Sequence, residues 1–200
     1  GSFDFIAEGK FLGRVKLGLI GRHNVSNALP AIALALKYGV SMETVQNALP
    51  GFSGTRRRFE YKGTLGGVRI YDDYAHHPEE IRQSILSIKE LYKNKHIKAI
   101  FQPHLYSRTR DFYQEFADAL SLLDDVVILD IYPARELPIP GVSSELIYNN
   151  LKSGIQRQMC HKEDIPALVE NSSFDVLVTL GAGDIEDYAT CIQEIVKNKV

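Results

Sequence analysis

Cysteine is scarce in this sequence of 200 residues, with Cys160 and Cys191 alone. Two thiols so far apart exclude a disulfide-stapled fold and point to a reduced, cytoplasmic setting. Cys160 and His161 adjoin, but no second pair stands at metal-ligand spacing, so no metal site is expected there. Long apolar runs are missing too. None approaches the roughly 20 residues that span a bilayer, and no secretory leader is visible, so no membrane partner is expected. Neither sign of charge prevails: 23 Lys and Arg stand against 25 Asp and Glu, a net charge of −2. That balance excludes a general nucleic-acid binder. The run Arg56-Arg57-Arg58 is local, and by charge alone such a run is more often a solvated face than an anion site. Internal repeats and low-complexity tracts are absent. The opening Gly1-Ser2 reads as a cloning scar, with the expectation of a longer parent.

What is present suits a globular chain. Hydrophobic residues make up 44% and charged residues 24%, and the length can bury a sizeable core without staples. The first fifty residues differ from the rest. Phe3 to Ile20 reads as extended segments with glycine turns at Gly9, Gly13 and Gly18. After Gly21-Arg22-His23-Asn24 comes a helix with Leu29, Ile32, Ala33 and Leu36 on its apolar face, Pro30 near its start and Gly39 at its end. A second helix runs from Ser41 to about Leu49, and Pro50-Gly51-Phe52-Ser53-Gly54 breaks the chain. These helices have no obvious sheet to pack on, so their domain is expected to lie mostly upstream.

From Phe59 strands alternate with helices. Strands are expected at 59–64, 68–71, 97–101, 126–131, 156–160 and 175–180, the first two joined by a hairpin at Leu65-Gly66-Gly67. Helices are expected from Pro78 (Ile81, Ile85, Ile88 and Tyr92 on one face), from about Thr109 (Phe112, Phe116, Leu120), and over 144–151, 163–170 and 185–198. Such alternation predicts an α/β, Rossmann-like fold, a largely parallel sheet with helices on both faces.

The unusual polar residues fall where strands end and helices begin: Asp72–Pro78, Gln102–Arg110, Tyr132–Arg135 and Gly181–Asp184. In an open parallel sheet those loops share one edge, where ligands bind. Each cluster also has an ordinary structural reading. Asp72-Asp73 before Pro78-Glu79 could be capping chemistry. His76 and His77 are neighbours whose rings should point apart, which argues against a shared metal. Gly181-Ala182-Gly183 is a weak dinucleotide fingerprint but presents backbone N–H groups, where an anion could bind. Asn24 and Asn27, with His23 beside them, set two amides a helical turn apart, either a cap plus a surface amide or a pair that reads a base edge.

Taken together these segments resemble the Mur ligases. Gly21–Ala28 matches their G-x-H-N-x-x-N-A segment, Gly54–Glu60 their linker into the last domain, and Asp73-Tyr74-Ala75-His76 a stretch shared by several members. The fuller Asp72–Pro78, Phe101–Thr109, Tyr132–Arg135, Pro138–Gly141 and Gly181–Ile185 are similar to the branch that joins L-alanine to UDP-N-acetylmuramate. The branch that recycles murein peptide shares the first of these but not the second, and ranks behind it.

The resemblance implies a three-domain, ATP-dependent, amide-forming ligase of peptidoglycan precursor synthesis. Residues 1–55 would be the tail of its central ATP-binding domain, and residues 56–200 its closing, amino-acid-binding domain. No G-x-x-x-x-G-K-[ST] phosphate loop occurs, so the chain alone is expected to be inactive. ATP with Mg2+ would activate the lactyl carboxylate as an acyl phosphate, which the alanine amine then attacks. His23, Asn24 and Asn27 would hold adenine, Arg58 the phosphates and Asp73 the ribose, with Arg56 and Arg57 as rivals to Arg58. Tyr74, His76, His104 and Arg108 would line the alanine and acyl-phosphate pocket, and His76 or His104 could orient or deprotonate the amine. Leu105 departs from the family, many of whose members carry a basic or hydroxylated residue there. The competing class is a free-standing nucleotide- or anion-binding module on the same sheet edge.

Overall fold

A computed structural model describes residues 1–19 and 21–198. Residues Gly1–Arg56 and Arg57–Val200 form two compact units.

In the first unit, β1 (Ser2–Ala7) and β2 (Lys10–Lys16) make an antiparallel ribbon, followed by α1 (Arg22–Lys37) and α2 (Met42–Ala48). Alternation along β2 buries Gly13 and Val15 and exposes their neighbours, as a one-sided ribbon requires. Phe5, Val15 and Leu17 join Ala28, Ile32 and Val45 in one small core. The helices therefore do have a sheet to pack on, contrary to the expectation from sequence. The expected face of α1 is also corrected. Ala28 and Ile32 are buried, whereas Leu29 is 41% exposed. The reason is the helix start: it begins at Arg22, so Pro30 lies inside it, on an exposed face. There the lost N–H leaves only the exposed Ser26 carbonyl to water. Ser41 caps α2 by accepting the Thr44 N–H at 3.1 Å. The extended stretch expected from Phe3 ends at Ile20, which lies outside the described residues.

The second unit contains β3 (Glu60–Leu65), β4 (Val68–Asp73), α3 (Pro78–Leu91), β5 (Ile97–Phe101), α4 (Tyr106–Leu120), β6 (Asp125–Ile128), α5 (Glu145–Asn150), β7 (Gln156–Met159), α6 (Ile165–Asn171), β8 (Val176–Leu180) and α7 (Ala189–Asn198). The strand order is β3-β4-β8-β5-β6-β7, and only the β3–β4 pair is antiparallel. Gly66 and Gly67, with φ of 52° and 77°, make the tight turn of that hairpin, a conformation that side chains disfavour.

Both faces are covered. On one, Ile81, Ile85 and Ile88 of α3, Phe116 and Leu120 of α4 and Ile147 of α5 pack against Ala99, Phe101, Val126 and Ile128. On the other, Ile165 and Val169 of α6 and Ile192 and Val196 of α7 pack against Ile70, Ile100, Val127 and Leu177. Each fully buried Phe or Ile contributes about 1.5–3 kcal/mol of transfer free energy. The chain thus has the α/β architecture that its strand-helix alternation predicts.

Several boundaries differ from the sequence reading. α4 starts at Tyr106 rather than Thr109, and non-helical angles at Phe112 (φ −129°, ψ 16°) kink it. β6 ends at Ile128, before Ile131. The last helix is preceded by a 3-10 turn, Asp184–Tyr188.

Register aligns the strand ends. Asp73, Leu180, Phe101 and Ile128 stand in one row across β4, β8, β5 and β6. The loops that follow these strands therefore leave the sheet side by side.

Candidate functional site

Asp72 and Asp73 close strand β4 and do not cap α3. That task falls to Glu80, whose carboxylate accepts the backbone N–H groups of His76 (3.1 Å) and His77 (3.2 Å). Burial opposes the charge on Glu80, but those bonds and nearby His76 and Arg58 hold its pKa below the usual value. Asp72 is buried against Arg57, Nε to Oδ2 at 3.4 Å, and accepts the Thr179 hydroxyl at 2.7 Å. Arg57 also donates to the Gly181 carbonyl (2.8 Å), pairs with Glu186 (2.8 Å) and lies over the Tyr74 ring. Its guanidinium is thus committed to the protein. Arg56 and Arg58 are exposed.

Asp73 is buried, with Oδ1 accepting the Ala75 N–H at 3.2 Å and Oδ2 accepting the Ser84 hydroxyl. Burial raises its pKa, and the hydrogen bonds only partly offset this. A carboxyl with a raised folded pKa destabilises the fold above that pKa, and the penalty vanishes below the unfolded value. Asp73→Asn is therefore expected to raise the melting temperature at neutral pH, by a margin that shrinks as pH falls through the raised pKa. Thermal unfolding across pH checks this; an Asn variant equally or less stable at neutral pH would refute it.

Beyond Asp73 the side chains face the next loops. Tyr74 and His76 meet edge to face, with centroids 5.1 Å apart. His76 meets His104 at 5.9 Å, and His104 stacks on Tyr132 at 5.7 Å. One line of rings thus crosses the loops after β4, β5 and β6. His77 turns away onto Phe112, ring to ring at 5.2 Å. The two neighbouring histidines point apart, as the sequence suggests.

Hydrogen bonds fix the tautomers. His76 Nδ1 lies 2.8 Å from the Tyr74 carbonyl, which can only accept, so Nδ1 carries a proton and, in the neutral ring, Nε2 offers a lone pair. His104 Nδ1 lies 3.3 Å from an Arg108 nitrogen, which can only donate, so the neutral ring carries its proton on Nε2. Burial first, then Arg108 and His76, push the His104 pKa below the usual imidazole value. His104 is therefore neutral at pH 7 beside a fixed cation. Tyr74, His76, His104 and Arg108 come together, and all are half-buried.

The Gly181–Gly183 turn is closely packed. Gln102, buried, donates to Asp184 (2.6 Å) and accepts the Ile185 N–H (3.0 Å) that begins the 3-10 turn. Lys162 pairs with the other Asp184 oxygen at 2.5 Å. A Cβ on Gly183 would strike the Gln102 amide and come within 2.8 Å of Tyr132 Cβ. These glycines serve close packing.

His23 and Asn24 lie in the first turn of α1, and Asn27 is exposed one turn later. Burial lowers the His23 pKa, which keeps that ring neutral. Among the described residues no three His, Cys, Asp or Glu side chains converge as metal ligands, and no helix is long and apolar enough to cross a membrane.

Sequence reasoning missed Arg57 as a clamp, Tyr132 as a ring partner, Gln102 as the brace of the glycine turn, and Glu136, which binds the start of α4. The triple arginine and the Tyr132–Arg135 loop were visible signals, but only folding decides which arginine turns inward.

Comparison with known proteins adds an independent line. The family described as "Mur ligase, glutamate ligase domain" matches residues 57–183. The UDP-N-acetylmuramate–L-alanine ligase of Phocaeicola vulgatus is 47% identical over 197 residues, 98% of this chain and 43% of that protein. Its counterpart in Parabacteroides distasonis is 43% identical over 199 residues, again 43% of that protein. Among solved structures, UDP-N-acetylmuramate–alanine ligase from Thermotoga maritima aligns with a TM-score of 0.76 at 34% identity, over 93% of this chain and 40% of that one. A murein peptide ligase from Psychrobacter arcticus aligns with a TM-score of 0.69 at 26% identity, over 94% of this chain and 40% of that one. The chain spans about two fifths of the length of these relatives.

Proposed function

This chain belongs to the Mur ligase family, and we propose that it is the carboxy-terminal part of a cytoplasmic ligase that joins L-alanine to UDP-N-acetylmuramate at the expense of ATP. The observation that carries this reading is the array His76, His104 and Arg108 on adjacent strand-end loops. In this reading residues 1–55 belong to a central ATP-binding domain and residues 56–200 form the amino-acid-binding domain.

A carboxylate is a poor electrophile until its oxygen is made a leaving group. ATP supplies that by phosphorylating the lactyl carboxylate, and the alanine amine then displaces phosphate. The side chains of this chain fit the second step. Arg108 holds carboxylate or phosphoryl oxygens two at a time. The His104 Nε2–H donates to the same oxygens. His76 Nε2, with its lone pair exposed by the Nδ1 bond, takes the proton that the alanine ammonium must lose before attack. Tyr74 walls the pocket with its ring.

For the nucleotide, Asn24 and Asn27, with His23 beside them, suit an adenine edge, and Arg58 suits its phosphates better than Arg57, whose guanidinium is engaged. Asp73 is buried, so ribose contact requires its carboxylate to be uncovered; the bonds from Ala75 and Ser84 leave it lone pairs to accept a further hydroxyl. Mg2+ would enter with the phosphates and balance their charge.

The test is an amino-acid panel offered with UDP-N-acetylmuramate and ATP to the intact ligase that carries this chain. L-Alanine should be converted with release of ADP and phosphate, and the 200-residue chain alone should give no turnover. Preference for a murein peptide over L-alanine would move the protein to the recycling branch. Turnover by the isolated chain would refute the division of labour proposed here.

A further inference from the structure

The start of α4 carries both Ser107 and Arg108, yet it has no cap of its own. Leu105 stands at the capping position with no side-chain bond to the helix. Its backbone, φ 75° and ψ 134°, is one that side-chain-bearing residues rarely adopt. Something outside the helix must hold this corner. The loop after β6 does so in two ways. Its backbone bridges the corner, with the Leu105 N–H donating to the Tyr132 carbonyl (2.9 Å) and the Tyr132 N–H to the Pro103 carbonyl (2.8 Å). From the same loop, Glu136 accepts the Ser107 N–H at 2.9 Å on one carboxylate oxygen and the Ser107 hydroxyl on the other. Glu136 is itself fixed by donating its N–H to the Pro133 carbonyl (2.9 Å).

We propose that Glu136 is the positioning residue of the His104–Arg108 pair: a carboxylate from a neighbouring loop that caps α4 and sets where Arg108 points. Glu136 bonds to the residue directly before Arg108, and Arg108 reaches back one turn to His104. The carboxylate supplies the acceptors that the helix start lacks and suits its positive end. With the cap removed, the strained Leu105 corner can relax, and His104 and Arg108 move with it.

The kinetic arm of the test rests on the ligase reading above; the spectroscopic arm does not. In the intact ligase, Glu136→Ala should raise the KM for L-alanine by about 10- to 100-fold, as expected for an oriented group displaced by an ångström. The KM for ATP should stay within about twofold, because the variant leaves Arg58, Asn24 and Asn27 untouched. Glu136→Gln keeps one acceptor and should fall between. In the 200-residue chain, the NMR contacts between the His104 ring and the Tyr132 ring stacked on it should weaken in Glu136→Ala, with Glu136→Gln between. If the alanine variant does not fold, the glutamine variant decides both arms. An unchanged KM for alanine, or unchanged His104–Tyr132 ring contacts in a folded variant, overturns the proposal. If the wild-type enzyme ligates no amino acid, the ligase reading fails and the ring contacts still decide whether Glu136 positions His104.

Discussion

Arg108→Ala in the intact ligase should lower turnover more than tenfold while its melting temperature stays within a degree or two of wild type, on the order of 2–4 kcal/mol of lost transition-state stabilisation. Arg108 is half-buried and bonds to His104, so little of the fold depends on it. In the proposed reading its value lies in offering a planar fork of donors where charge develops on the acyl phosphate. Lysine in its place restores the charge but not the fork, and should recover only part of the rate. The loss has a second consequence. Arg108 helps to hold the His104 pKa down, so without it the pKa rises and His104 becomes more protonated near neutrality. The His104 titration midpoint, read by NMR, should therefore shift to higher pH. Steady-state kinetics with a stability control would decide. Unchanged kinetics remove Arg108 from the site.

The second large effect concerns stability. Arg57→Leu should destabilise the fold by about 3–5 kcal/mol, because it leaves Asp72 charged and buried without its cation. The side chains of Arg57 and Asp72 are only 11% and 2% exposed. The pair is not well aligned for a hydrogen bond, as neither Arg57 Nε nor Asp72 Oδ2 has a hydrogen-bond partner. Its contribution is therefore compensation of charge rather than a strong bond. It follows that the double variant Arg57→Leu, Asp72→Asn should regain much of the loss, since a neutral amide can still accept from Thr179. Denaturant unfolding of the wild type, both single variants and the double variant measures this. A cost below about 1 kcal/mol for Arg57→Leu would show that the pair is no strut.

Much of this molecule could be read from its residues, for physical reasons. The isoleucines of α3 repeat at helical spacing and are buried where that spacing puts them. Val126, Val127 and Ile128 are apolar in succession because β6 is covered on both sides. The strand-end loops were legible because polar residues there interrupt an otherwise apolar alternation. Other features depend on contacts distant in sequence. Nothing near Arg57 shows that its guanidinium will turn to Gly181 and Glu186, more than a hundred residues away. The early start of α4 escaped because its cap comes from Glu136, 29 residues after Ser107. The face of α1 was misread because Pro30, which normally marks a helix start, sits inside a helix that exposes it.

The alignment of Asp73, Leu180, Phe101 and Ile128 in one row has a consequence for engineering. Those four residues are a common baseline from which every loop of the site is measured. Two residues inserted into β8 would lift the Gly181–Asp184 turn by about 7 Å relative to its neighbours and pull it off Gln102. The same insertion beyond the sheet's outer strand β7 would disturb none of them. Loop lengths on this edge can therefore be varied one at a time, whereas the lengths of the four inner strands can change only in concert.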